Sequence, residues 1–526
     1  MDEITKYLKQ RGPSLSSEIS DHLAKTLRIS GDAARKRVSR LPDGVKRLGF
    51  ITFPRKARFI YHEQQFGSEL YWERLIAALQ QTNSAYGYAI AGLRLRNGIV
   101  PASHFKIICG APVRQAKHLS PETIFERLAK AGLLQEINVP GLGSCICLAQ
   151  YDGRYDEIAL RVHARLITEG ILLTAIRGWV RKLGLVSYER VATRDGANVP
   201  MVGTFAWDMT APSYLGPMSR IGRDGTVKPG FLACDVLLES EVDEAGIAPF
   251  VRKCVTLRKL RNVGPCLQMF VAERYSKNAF LALKRNGIIP ATPRTLFGEE
   301  VAEALSQVAS VLVEAARYAI DPVKLDELFK RLGKIEGAAI QLRGTLLEFM
   351  AAGYFGRLVD HVWMNRIFKI EGQTAEADVV AVAEGEAVTF IECKGYSPYA
   401  TIPDALVKKW LQKSIPIFYK SALAHPDWRG LDIKFEFWAT GQLSPEAEAM
   451  FTNAAATIKK SRYEVQLLRA GDILTNFKSP RDRSLAVALR NHFMRPPAED
   501  ETVELPSPPQ DEDWSSIIEP IQERFP

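Results

Sequence analysis

Long apolar runs are missing from this 526-residue chain, and paired cysteines are nearly so. No stretch reaches the roughly 18 consecutive apolar residues of a membrane-spanning helix, so no membrane is expected as a partner. The opening "MDEITKYLKQRG" lacks the apolar core of a signal peptide. Seven cysteines are scattered, and only Cys145 and Cys147 lie close together. Their C-x-C spacing has no second pair and no flanking histidine, which argues against a zinc site. A reducing cytoplasm is the expected compartment. There is no GxxxxGK[ST] phosphate loop, so an ATP-driven motor would have to be another chain.

What is present suits several cores. Apolar residues make up 46% and charged residues 25%, and the length implies three or four domains. Net charge is +9 but uneven: Pro496–Pro526 holds nine Asp/Glu against one Arg, a charge of −8, which leaves +17 on the rest. A body that basic favours a polyanionic partner. The Pro-rich acidic tail is expected to be disordered. Its small apolar island, "DWSSIIEPI", is a candidate protein-partner peptide or a cover for basic surface; a merely solubilising tail is the simpler reading.

Residues 1–80 read as helix, turn, helix and hairpin. "LSSEISDHLAKTL" has helical apolar spacing, and "ISGDAARKRVSRL" starts a second helix with Ser30 as N-cap. "VKRLGFITFPRKARFIYH" alternates like a hairpin with "PRKAR" at its tip. This order resembles a winged helix, which implies that Arg35, Lys36, Arg37 and Arg40 on the second helix and Arg55, Lys56 and Arg58 on the wing contact double-stranded DNA. Residues 81–154 read as a second such unit, with an uncharged tip at "PGLG".

From about 155 the chain repeats itself. "EGILLTAIRGWVRKLG" from Glu169 matches "RGTLLEFMAAGYFGRLV" from Arg343; "FLACD" from Phe231 matches "FIECK" from Phe390; Ser276 falls on Ser444. The expected division is one α/β domain at 155–302, a helical connector at 303–342, a second α/β domain at 343–478, and a C-terminal segment with the tail at 479–526.

The second copy carries the chemistry. "ADVVAVA", a turn at "EGE" and "AVTFIECKG" read as an apolar hairpin. Asp378 opens the first strand, and Glu392 and Lys394 share one face of the second because side chains alternate. A glutamate and a lysine in so apolar a run need partners. Asp378, Glu392 and the Cys393 main-chain carbonyl form a hard oxygen site for Mg²⁺ or Mn²⁺. Lys394 beside that ion would position an attacking water.

This Asp followed fourteen positions later by Glu-x-Lys resembles the PD-(D/E)XK, or restriction-endonuclease-like, nuclease superfamily over about Gly344–Asn476. The resemblance implies a mixed sheet flanked by helices and a metal-dependent endonuclease. It also assigns Glu348, on the preceding helix, as an auxiliary carboxylate. The proline that often precedes the aspartate is replaced by Ala377. On the helix after the motif, Lys408, Lys409, Gln412 and Lys413 are candidate phosphate contacts. The expected fold class is therefore multidomain α/β: winged-helix units, then two restriction-endonuclease-like domains. The first of these is read as degenerate, with Thr174, Ala233 and Asp235 standing for Glu348, Glu392 and Lys394, and Asp208 for Asp378. Phage defence, restriction or mobile-element activity is the expected setting, and a homodimer an open expectation. A non-catalytic DNA-binding regulator or scaffold is the competing reading.

Overall fold

The computed structural model describes residues 2–494 except 52, 83, 117, 140–141, 150–154, 197, 222–225, 261, 317–323, 325–326, 329–330, 333–337, 458–462 and 480–481. The acidic tail expected to be disordered lies outside the described residues.

The chain opens with α1 (Glu3–Arg11), β1 (Ser14–Leu15), α2 (Ser16–Leu27), α3 (Gly31–Ser39), β2 (Val45–Arg47) and β3 (Phe59–His62). The strands form an antiparallel sheet in the order β1-β3-β2. Ser30 caps α3, its hydroxyl accepting from the Ala33 N–H at 3.2 Å. α1 was not part of the sequence reading. After α4 (Glu69–Gln81) the pattern recurs: α5 (Ala85–Arg94), β4 (Ile99–Pro101), α6 (Ala102–Ile108), α7 (Pro121–Lys130), β5 (Leu134–Val139) and β6 (Gly143–Leu148), with sheet order β4-β6-β5. One core, including Leu15, Phe59, Tyr71, Ile90 and Ile146, runs through both units.

Next come α8 (Tyr155–Lys182), β7 (Ala192–Thr193), a small hairpin of β8 (Met201–Val202) and β9 (Phe205–Ala206), β10 (Met209–Ser213), a second hairpin of β11 (Arg220–Ile221) and β12 (Val227–Lys228), and β13 (Gly230–Val242). They are followed by α9 (Glu244–Arg258), β14 (Cys266–Tyr275), α10 (Lys277–Arg285), β15 (Ile289–Ala291), α11 (Pro293–Phe297) and α12 (Glu299–Ala316). The last part holds α13 (Ala338–Phe355), β16 (His361–Ile370), β17 (Gln373–Ala383), β18 (Ala387–Lys394), α14 (Asp404–Lys409), a π-helical turn at Trp410–Ser414, α15 (Ile415–Ala424), β19 (Asp432–Ala439), α16 (Pro445–Thr457), β20 (Glu464–Arg469), α17 (Ala470–Asn476) and α18 (Arg483–Leu489).

Two five-stranded sheets result, β7-β10-β13-β14-β15 and β16-β17-β18-β19-β20. In both, each of the first three strands is antiparallel to its neighbour and the last three are parallel. A helix precedes each sheet, and helices follow its third and fourth strands. The serine match holds locally: Ser276 caps α10 and Ser444 caps α16, each accepting from the N–H three residues on. The two sheets share one core. Leu232, Cys234 and Val236 of the first and Val379, Ile391 and Cys393 of the second meet Leu172, Leu305, Leu346 and Met350 of α8, α12 and α13. Each sheet's other face has its own core, against α9 in the first and α15 in the second.

The register corrects the strand match. Met209 stands opposite Cys234 and Val379 opposite Ile391. One step further on, Asp208 faces Asp235 as Asp378 faces Glu392. The carboxylates act alike: Asp208 Oδ2 accepts from the Val236 N–H at 2.8 Å, and Asp378 Oδ2 from the Cys393 N–H at 2.7 Å. Asp235 therefore occupies the place of Glu392, not of Lys394, and Leu237 that of Lys394. A slip of two residues keeps every side chain on the same face, so the apolar pattern could not reveal it.

The first copy thus keeps its acidic pair, and closes it. Arg194 donates to Asp208 at 3.0 Å and to Glu169 of α8 at 2.7 Å. Lys253 of α9 pairs with Asp235 and donates to the Ala206 and Ile107 carbonyls at 2.9 and 3.2 Å. Ile107 belongs to α6, so the second N-terminal unit lids this cluster. The five side chains are only 1–3% exposed. Burial alone would pull the Arg194 guanidinium down, but Asp208 and Glu169 outweigh it and hold it charged. Burial raises Asp235 to about 6 against the pull of Lys253.

Removing one member of a buried ion network leaves uncompensated charge, at a cost of about 3–5 kcal/mol. Arg194→Met is therefore expected to lower stability by about that much, read from denaturant midpoints at constant slope. A midpoint equal to the parent's would show that Arg194 does not neutralise this cluster.

Candidate functional site

The counterpart in the second sheet is open. β18 is buried by an aromatic group in which Phe390 stacks on Phe418 and Phe435, with ring centroids 5.2 and 5.3 Å apart. This fixes the strand and aims its alternate residues. Cys393 turns its side chain into the core shared by the two sheets, where burial raises its thiol well above the usual range. The thiol is thus no ligand, and what Cys393 offers is its carbonyl. Glu392 and Lys394 turn the other way, with Asp378 on β17 beside them. Their side chains are 15, 17 and 16% exposed, so solvent reaches them as it does not reach the first copy.

Gly395 sets the approach of α13. A Cβ there would lie 2.3 Å from the Arg343 carbonyl, so only glycine lets the helix meet the end of β18. Glu348 lies just over a turn along α13. Its carboxyl is raised well above the usual range, by burial first and then by Asp378.

The Lys394 ammonium lies where three oxygens converge: 2.6 Å from Glu392 Oε1, 3.6 Å from Asp378 Oδ2 and 3.2 Å from the Cys393 carbonyl. Burial pulls Lys394 down, but Asp378 and Glu392 outweigh it and raise its pKa. Glu392 is raised to about 7 by burial and then by Asp378, with Lys394 opposing. These donors are hard oxygens already gathered around a cation, which fits Mg²⁺ or Mn²⁺. Among the described residues no three His, Cys, Asp or Glu side chains cage an ion. Such an ion would take two carboxylates and a carbonyl from the protein and leave its other positions to water or phosphate, as Mg²⁺ commonly does.

A cleft of about 380 Å³ opens over the group, lined by Glu376, Asp378, Glu392, Lys394, Lys409, Trp410, Lys413 and Ser414 among others. Of the four helix residues expected to meet phosphates, Lys409 and Lys413 line it. Lys408 and Gln412 are exposed but do not. The wall includes the π-helical turn Trp410–Ser414, a local widening of the helix that often marks functional sites. Glu376 was missed in the sequence. It lies two residues before Asp378 on the same strand face, so the period-two rule that grouped Glu392 with Lys394 could have found it. Its carboxyl is raised by burial and then by Asp378.

The basic residues of the N-terminal unit form a separate surface. Arg35, Lys36, Arg37 and Arg40 are exposed on α3 and at its end, and Arg55, Lys56 and Arg58 on the connection between β2 and β3. Arg35 pairs with Asp32 one turn before it. No helix among the described residues is long and apolar enough to cross a membrane.

No family model matches this chain, nor does any curated protein or solved structure at a significant level.

Glu348 gives a pH prediction without divalent ions. Its folded pKa lies above the unfolded value, so the folded state binds the extra proton between the two, and stability falls as pH rises through that window. Glu348→Gln copies the protonated form. With chelator present, its melting temperature is expected to match the parent's near pH 5 and to exceed it by several degrees at pH 8. A parent-minus-variant difference flat with pH would mean that Glu348 is already ionised in the fold.

Proposed function

We propose that the chain is a divalent-metal-dependent endonuclease of duplex DNA, in which the cleft over β17 and β18 hydrolyses phosphodiester bonds. One observation carries this reading. Two carboxylates, a carbonyl and an ammonium meet at the floor of an open cleft whose rim holds two further lysines. The resemblance to the PD-(D/E)XK superfamily supports it, as does the exposed basic surface of the winged-helix-like N-terminal unit.

Asp378, Glu392 and the Cys393 carbonyl would hold the ion, which when bound screens the phosphate charge and makes water a better nucleophile. Lys409 and Lys413 attract the phosphates flanking the scissile bond. Lys394 keeps its proton and donates it as a hydrogen bond, orienting the attacking oxygen. Glu376 also lines the cleft, its carboxyl raised by burial and then by Asp378. Glu348 does not line it and bears on the site through its charge on α13. The charge of the whole body and the seven exposed basic residues of α3 and the wing supply duplex affinity, the non-specific part of which falls with salt.

Asp378→Ala, Glu392→Ala and Lys394→Ala are each expected to abolish Mg²⁺-dependent cleavage while leaving DNA binding intact, measured by plasmid cleavage and by a gel-shift titration. Asp378→Ala and Lys394→Ala proteins that cut as fast as the parent would remove the nuclease assignment from this cleft. The double change Arg35→Ala, Arg37→Ala should weaken duplex binding and reduce the slope of log affinity against log salt by roughly 2. An unaltered slope would put the DNA elsewhere.

A further inference from the structure

We infer that one chain cuts one strand: it is a nicking enzyme, and a double-strand break takes either two events or two chains. This rests on the nuclease reading of the β17–β18 cleft and adds what that reading leaves open.

The chain holds two sheets of the same strand order and direction, each with an acidic pair at the same step of the ladder. Paired units of this kind could offer one site to each strand of a duplex. Here they do not, for two independent reasons. The first is closure. Around Asp208 and Asp235 the place of an exchangeable ion is taken by the protein's own cations, Arg194 and Lys253. A guanidinium does not lose its proton in a protein, and these side chains are 1–3% exposed beneath α6. Arg96 and His104 of the lidding unit also face the cluster. Burial, then the charge of Arg194, pushes His104 down to about 3, so it stays neutral there. At that burial neither DNA nor a hydrated ion reaches the acidic pair.

The second reason is direction. The core shared by α8, α12 and α13 lies between the sheets and takes Cys234 and Val236 from one and Ile391 and Cys393 from the other. By alternation Asp235 points away from that core toward α9, and Glu392 points away from it toward α14 and α15. The two acidic pairs therefore sit on opposite outer faces and cannot flank one duplex.

A single encounter thus adds one water across one P–O bond. The water oxygen bonds to phosphorus, the opposite P–O bond breaks, and the leaving oxygen takes up a proton. The complementary strand runs antiparallel and presents its phosphates in the reverse orientation, so the same cleft must rebind to cut it.

The test is a time course on supercoiled plasmid with the full chain and Mg²⁺ over a hundredfold range of protein concentration. Nicked circles are expected to dominate the early products at every concentration, with linear DNA appearing only after a lag or with a second-order dependence on protein. Linear DNA formed straight from supercoiled, at a rate first order in protein, by a chain that light scattering on and off DNA shows to be monomeric, and lost in Asp378→Ala, overturns the inference while the nuclease reading stands. Absence of cleavage with either Mg²⁺ or Mn²⁺, or cleavage that survives Asp378→Ala, removes the nuclease reading and the inference together.

Discussion

Two carboxylates facing each other across an antiparallel strand pair need a cation between or beside them. This chain meets that need twice, in opposite ways. At Asp208 and Asp235 the cations are covalently part of the protein. At Asp378 and Glu392 a lysine does the work only in part, and protons do the rest: Glu392 is raised to about 7 and Glu348 well above its usual range. The first arrangement is a structural joint. The second is a site short of positive charge, which is where the proposed divalent ion would bind.

The joint explains why the second N-terminal unit sits where it does. Lys253 reaches the carbonyl of Ile107, so the cluster that neutralises β10 and β13 also ties down α6. The contact is close elsewhere too: a Cβ on Gly110, just after α6, would lie 2.7 Å from the Pro249 carbonyl of α9. The cluster makes a good socket because its polar groups point at one place. Charged partners neutralise its carboxylates, while the Arg194 Nε makes no hydrogen bond among the described residues and lies 3.9 Å from Asp195 Oδ1.

Much of the open site was legible. Asp378, Glu392 and Lys394 stood out because charge in an apolar strand demands a reason, and alternation put two of them on one face. The helix-turn-helix-hairpin order of the N-terminal unit followed from one cap residue, Ser30, and one alternating stretch. What stayed hidden was non-local. Nothing near Arg194 or Lys253 in the sequence announces that they meet Asp208 and Asp235 from elements 14 and 18 residues away. The register slip between the repeats was invisible because a shift of two preserves the pattern of faces. The helix match is in register, since Glu169 meets the Leu238 N–H where Arg343 meets Gly395, so Thr174 stands where Glu348 does; the first copy's buried helix carboxylate is instead Glu169, at the position of Arg343.

The contrast also bears on why the open copy keeps its cost. A site of raised carboxyl pKa values is less stable in alkaline, ion-free solution than a site with resident cations would be. An arginine in place of that deficit would neutralise the pair permanently, as Arg194 does for Asp208 and Glu169 in the first copy, and would leave no place for an exchangeable ion. Lys394 is the compromise. Its ammonium neutralises the pair when no ion is present, yet its flexible stem lets it move aside, where a guanidinium bridging two carboxylates is held by its planar fork. At the proposed ion site the lysine two residues after Glu392 would therefore be both a stand-in for the ion and the group left beside it when the ion binds.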